Sequence, residues 1–143
     1  MYVCGSTFLH TKSKDIDYIT IHYLSDRKTS TIGKKLKLIL KKYISRGFIV
    51  TDVFGDNEFN REKYRGLCLS ANFHICTAGE HVPIIERSIR TIKERARSAT
   101  VELPFRTIPR MMMISILEGV ERWINAFPTR NIDRKYSWPC YDC

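Results

Sequence analysis

Residues 81–97, His-Val-Pro-Ile-Ile-Glu-Arg-Ser-Ile-Arg-Thr-Ile-Lys-Glu-Arg-Ala-Arg, constrain the chain most, because they are consistent with one element and two faces. Ile85, Ile89, Ile92, Ala96 and Ala99 recur at helical spacing and form an apolar stripe that needs a core to cover it. Glu86, Arg90, Lys93 and Arg97 form a neighbouring stripe at i, i+4, i+7 and i+11. One carboxylate therefore opens the helix and a ladder of cations runs away from it, with Arg87 beside the first rung. This layout suits a metal-binding acid next to a phosphate track. It equally suits a solvated helix laced by i,i+4 ion pairs.

A helix with one apolar stripe needs partners, and the chain supplies them. At 143 residues with 43% hydrophobic content, it is long enough for one domain with a single core and too apolar for a disordered tail. Asp17 to Leu24 alternates and is rich in β-branched and aromatic residues, so it reads as a strand, with His22 as a satisfied structural residue. Residues 1–9 are strand-like around a Gly5-Ser6 turn, and they start abruptly, as if inside an element. Ser25-Asp26 offers an N-cap region for a helix over Ile32 to Ile44, ended by Gly47 at the C′ position. Five lysines on that helix read mainly as a solvated face, with unspecific DNA contact as the other use.

Phe48 to Phe54 reads as an interior strand ending in an acidic cluster, Gly55-Asp56-Asn57-Glu58-Phe59. The end of an interior strand is where α/β sheets place ligand chemistry. A plain turn made of Gly, Asp and Asn explains the same residues. Asn60 to Leu69 reads as a short helix and Asn72 to Thr77 as a short strand. Pro109 starts a last helix through Phe127, with Met112, Ile116, Val120, Trp123 and Phe127 as its core stripe. The order is that of an α/β chain with hairpin strands first. Residues 129–143 read as an irregular tail after a domain over 1–128.

The net charge of +9 points to a polyanionic partner, nucleic acid first. No apolar run has the length of about 18 residues that a membrane span needs. Five cysteines without framework spacing suggest a reducing, intracellular setting. Cys140 and Cys143 have metal-ligand spacing, and His74, Cys76 and His81 are other polar candidates, but no close Cys-His set marks a zinc site.

Arg46-Gly47-Phe48 leading to Asp56-Asn57-Glu58-Phe59, then Glu80-His81-Val82-Pro83-Ile84-Ile85-Glu86-Arg87, Leu103-Pro104-Phe105 and Trp123-Ile124-Asn125-Ala126-Phe127-Pro128 stand in a fixed order. Together they resemble the integrase catalytic core of LTR retrotransposons, copia-type or related, within the retroviral integrase superfamily. The resemblance spans residues 1–128 and implies an RNase H-like fold: a mixed sheet with an N-terminal antiparallel hairpin and flanking helices. It implies a polynucleotidyl transferase that inserts element DNA, using Asp, Asp and Glu to hold two Mg²⁺ or Mn²⁺ ions. Asp56 matches the second Asp and Glu86 the Glu, thirty positions apart. Asp52 is the alternative strand acid, disfavoured by its mid-strand place. Nothing matches the first Asp: Met1, Tyr2, Val3 and Cys4 precede the Gly5 turn, so the first strand looks truncated and catalysis impaired. The resemblance further implies element-end and target DNA as partners, contacts through Arg87, Arg90, Lys93 and Arg97, self-association, and action in the nucleus. The alternative is a basic, non-catalytic nucleic-acid-binding or assembly domain of a degenerate mobile element.

Overall fold

A computed structural model describes residues 1–55, 71–76 and 83–127. Strands β1 (Tyr2–Val3) and β2 (Ser6–Lys12) form a hairpin, and β3 (Ile19–Leu24) extends it into an antiparallel sheet of order β1-β2-β3. A two-residue hairpin loop of type I′ has positive φ at both turn positions, which matches the strand twist. Cys4 (φ 44°) and Gly5 (φ 74°) provide it. The ladder runs on to Met1, whose ammonium donates to the Phe8 carbonyl (2.9 Å) while the Phe8 amide donates to the Met1 carbonyl (2.8 Å).

Strand alternation sorts the sheet into two faces. Phe8, Ile19 and Ile21 face helices α2 (Pro83–Val101) and α3 (Arg110–Ala126), where Ile92, Ala96, Met113, Ile114, Leu117 and Val120 close the larger core. Leu9 and Leu24 face helix α1 (Thr29–Ile44), meeting Ile32, Leu36 and Ile39. The result is a sheet between helical layers. A second, parallel pair, β4 (Asp52–Gly55) and β5 (Asn72–Ile75), runs in the register Asp52↔Asn72 to Gly55↔Ile75, and Phe73 packs against the α1-side core.

Several expectations shift. Helix α1 starts at Thr29 with Lys28 as N-cap, and Asp26, two residues ahead of that cap, accepts the Lys28 amide (3.0 Å). Ser45 is the C-cap, so Gly47 (φ 79°) stands one residue beyond C′. The strand expected over Phe48 to Phe54 shrinks to Asp52–Gly55. Phe48 instead turns back edge-on to Tyr43 (centroids 6.4 Å), and its amide bonds the Tyr43 carbonyl, leaving Ile49 88% exposed. Nor is the strand interior on both faces, because Phe54 is exposed.

On α3 the buried residues are Met113, Ile114, Leu117 and Val120, while Trp123 and Phe127, expected in the core, are more than half exposed. The helix is rotated by a polar requirement. Among the described residues β3 is the edge of its sheet, and an edge leaves backbone groups needing partners. Glu121 accepts the Ile21 amide (2.9 Å), while Asn125 accepts the Ile19 amide and donates to the Ile19 carbonyl (2.9 Å each). Two side chains one helical turn apart thus stand in for a neighbouring strand. The helix Asn60 to Leu69, Asp56, His81 and the tail lie outside the described residues.

Candidate active-site helix

Helix α2 begins at Pro83, whose fixed φ and missing amide suit a first helical position. Glu86 follows in the first turn, where the helix dipole favours a carboxylate. It is exposed, as are Arg87, Arg90, Lys93 and Arg97. Ile92 (0% exposed) and Ala96 (4%) turn the opposite side of α2 into the core. The structure therefore brings Glu86 and the four cations together on the outer side of one helix. Asp56, the other proposed carboxylate, lies outside the described residues.

The buried stripe also differs from expectation at its start. Ser88 is buried, Ile85 and Ile89 are half-buried, and Ala99 is exposed. Ser88 is drawn inward by His10 on β2: the imidazole Nε2 lies 3.0 Å from the Ser88 hydroxyl and Nδ1 lies 3.1 Å from the Thr20 carbonyl. A carbonyl only accepts, so Nδ1 carries the hydrogen and Nε2 accepts from Ser88. Burial pushes the His10 pKa down to about 4; the Thr20 bond opposes this, and the N-terminal ammonium and Lys12 add to it. A neutral imidazole thus ties the turn that follows Glu86 to two strands.

Other polar residues group elsewhere. Asp52 opens β4 and bonds the His74 Nε2 at 2.8 Å, with the His74 ring stacked on Phe54 (centroids 4.8 Å). Hydrogen bonds from Thr51 and then His74 hold the Asp52 carboxyl below its usual range. On the α1 face, His22 is not the satisfied residue expected: its buried Nε2 has no hydrogen-bond partner among the described residues. Burial, and after it Lys42 and Lys35, lower its pKa to about 4. Burial also raises the pKa of Glu121, against the Ile21 amide that stabilises its charge. Cys4 and Cys76 are free thiols. Among the described residues no three His, Cys, Asp or Glu side chains converge, so these residues alone do not make a metal site. No helix among them is long and apolar enough to cross a membrane.

Sequence reasoning missed His10, Ser88, Glu121 and Asn125 as working residues. The available signals were a serine interrupting the apolar stripe of α2 and a polar i,i+4 pair interrupting that of α3.

The catalytic core domain of BIV integrase superposes on this chain with a TM-score of 0.62 at 11% sequence identity, covering 88% of this chain and 78% of that one. This chain has the fold of an integrase catalytic core. No protein-family model matches it, and no curated protein matches it significantly.

Proposed function

We propose that the chain is a retroelement integrase core with an RNase H-like architecture, which binds DNA along α2 and is impaired in strand transfer. The supporting observation is the joint placement of Glu86 and exposed Arg87, Arg90, Lys93 and Arg97 on the outer side of a helix in an integrase-core fold. In this reading Asp56 and Glu86 are the carboxylates that hold Mg²⁺ or Mn²⁺, which supply the Lewis-acid chemistry of phosphoryl transfer. The cations of α2 neutralise phosphates and fix the register of the duplex. The His10–Ser88 contact holds the helix on the sheet. What supports the impairment is that the described strands β1, β2 and β3 carry no Asp or Glu to add to these two carboxylates. Two carboxylates leave the geometry of a two-metal site undetermined.

The test pairs DNA binding with strand transfer. Binding should weaken steeply with salt, and replacing both Arg90 and Lys93 by Gln should lower the log–log slope by about 1.8, about 0.9 per phosphate contact. Strand transfer in Mn²⁺ should stay near background. Efficient transfer abolished by Glu86→Gln would overturn the impairment. An unchanged slope would remove α2 from the interface. If Asp56→Asn leaves every function intact while the α2 substitutions weaken binding, the non-catalytic binding domain is the correct reading.

A further inference from the structure

The opposite side of the sheet carries a second concentration of charge that the α2 reading does not use. Between Asp26 and Asp52 the chain has eight Lys and Arg residues and no acid. Five of these cations are on α1: Lys34, Lys35, Lys37, Lys41 and Lys42. Ile32, Leu36 and Ile39, each at most 6% exposed, fix the orientation of the helix on β2 and β3. That orientation sends Lys34, Lys37 and Lys41, all exposed, to the side away from the sheet. Lys35 and Lys42 flank His22 and lie nearer the sheet.

This stripe is electrostatically uncompensated. Lys34, Lys37 and Lys41 form no ion pair among the described residues. The nearby Asp26 carboxylate bonds Thr31 and the Lys28 amide, and feels Lys34 as one charge among others. Lys34 and Lys37 stand at i,i+3 and Lys37 and Lys41 at i,i+4, so each like-charged pair costs about 0.2–0.5 kcal/mol. The C-terminal dipole favours Lys41 and offsets part of this. A folded helix that tolerates such repulsion has a face that a polyanion would stabilise.

We propose that the outer stripe of α1, Lys34, Lys37 and Lys41, is a second nucleic-acid-binding face, engaging the phosphate backbone of a duplex on the side of the sheet opposite α2. Two features favour this partner over an acidic bilayer. The apolar stripe of α1 is already buried against the sheet, so apart from Leu38 and Ile44 the helix has little apolar surface to insert between lipids, which interfacial helices need. A phosphate backbone asks only for cations at intervals, and Lys34 and Lys41 are separated by about 10 Å of helix rise. Contacts from lysine ammonium groups to phosphates carry no sequence information, so binding through this face is sequence-independent. The inference does not depend on α2 being an active-site helix.

The experiment measures binding of the full chain to a fluorescent DNA duplex across a salt series, for the parent, for K34Q/K37Q/K41Q, for R90Q/K93Q and for the combination. The α1 triple variant should lower the log–log slope by about 2.7, about 0.9 per phosphate contact. The same drop should recur in the R90Q/K93Q background, because the two faces are separate. A slope that the triple variant leaves unchanged overturns the proposal. So does a drop that vanishes in the R90Q/K93Q background, since one shared surface would then explain both. Loss of binding to phosphatidylserine vesicles without a change in the DNA slope assigns the stripe to a membrane surface instead. A drop with the α1 variant and none with the α2 variant upholds this inference while removing the α2 reading. Circular dichroism of the triple variant should match the parent, because all three side chains are exposed, and its thermal melt at low salt should be no lower, because the two like-charged pairs are removed.

Discussion

Helices α1 and α2 lie on opposite faces of the same sheet, both amphipathic and both basic, and they differ in how their charge is distributed. α2 interleaves Glu86 and Glu94 with five cations, so Glu86–Arg90 and Arg90–Glu94 fall at attractive i,i+4 spacing. α1 has five lysines and no acid. The faces beneath them differ as well. Among the described residues, α2 shares with α3 a cluster of nine buried residues, and α1 belongs to a cluster of five. Among the described residues α2 is therefore the better-anchored and better-compensated helix, and α1 the more lightly held one, with no acid of its own. The lesson is that net charge alone describes neither helix. The arrangement of acids decides whether a basic face is neutralised within the chain or left for a partner.

The largest effect that would test this contrast is in the two cores. Leu117→Ala, at a site 0% exposed, should cost about 4–5 kcal/mol, and Leu36→Ala about 3 kcal/mol, measured by urea unfolding. Equal costs would break the claim that the α1 layer is more lightly held.

Acid should expose a second difference. The folded-state pKa of His10 is lowered from 6.5 to about 4, so the unfolded chain takes up a proton first as pH falls. Stability is full above about pH 6.5, drops between there and about 4, and loses about 3 kcal/mol at most from this group. His22 on the α1 face is lowered to the same value, but it is only half-buried, so solvent screening reduces its share. His10→Gln should flatten the pH dependence of the urea midpoint more than His22→Gln does. The reverse order would place the tighter packing on the α1 side.

Asn125→Ala should cost about 1–3 kcal/mol by thermal or urea unfolding, since it removes both partners of Ile19 on an otherwise intact edge. A neutral result would mean that water satisfies that edge and that α3 is positioned by its apolar residues alone.

The smallest effect is the most specific to the two helices. At low salt, Lys37→Glu should stabilise the protein by a few tenths of a kcal/mol, because it turns two repulsive spacings into attractive ones. Arg90→Glu should leave stability nearly unchanged, because it turns two attractive i,i+4 spacings (Glu86, Glu94) repulsive and two repulsive i,i+3 spacings (Arg87, Lys93) attractive. The two responses differ although both substitutions reverse a cation on an exposed basic face. Equal shifts would show that the charge pattern has no bearing on stability.

Much of the architecture was legible in the sequence because it rests on periodicity. Alternation located β3, and the 3.6-residue spacing located the three described helices within a few residues. What failed was decided by distant partners. Spacing showed that Trp123 and Phe127 share a stripe with Val120, but not that Glu121 and Asn125 would be turned to the Ile19 and Ile21 backbone about a hundred residues earlier. Ser88 looked like an ordinary interruption until His10 was seen beneath it. Phe48 to Val50 had strand composition, yet the Tyr43 carbonyl and ring claimed the start of that segment. Of the candidate site, Glu86 and its cations were legible as one stripe of one helix. Their relation to Asp56 depends on tertiary placement, which spacing does not carry.

The clamp on β3 also has a meaning in time. Ile19 is made 106 residues before Asn125. At a synthesis rate of about 5–20 residues per second, the edge of this strand waits about 5–20 seconds for the side chains that cover it. Its Ile-Thr-Ile-His-Tyr-Leu sequence is rich in β-formers, the composition that pairs readily with other chains. The nascent protein is therefore most prone to aggregate while its hairpin is complete and its last helix is not, and a ribosome stalled before residue 121 would hold it in that state.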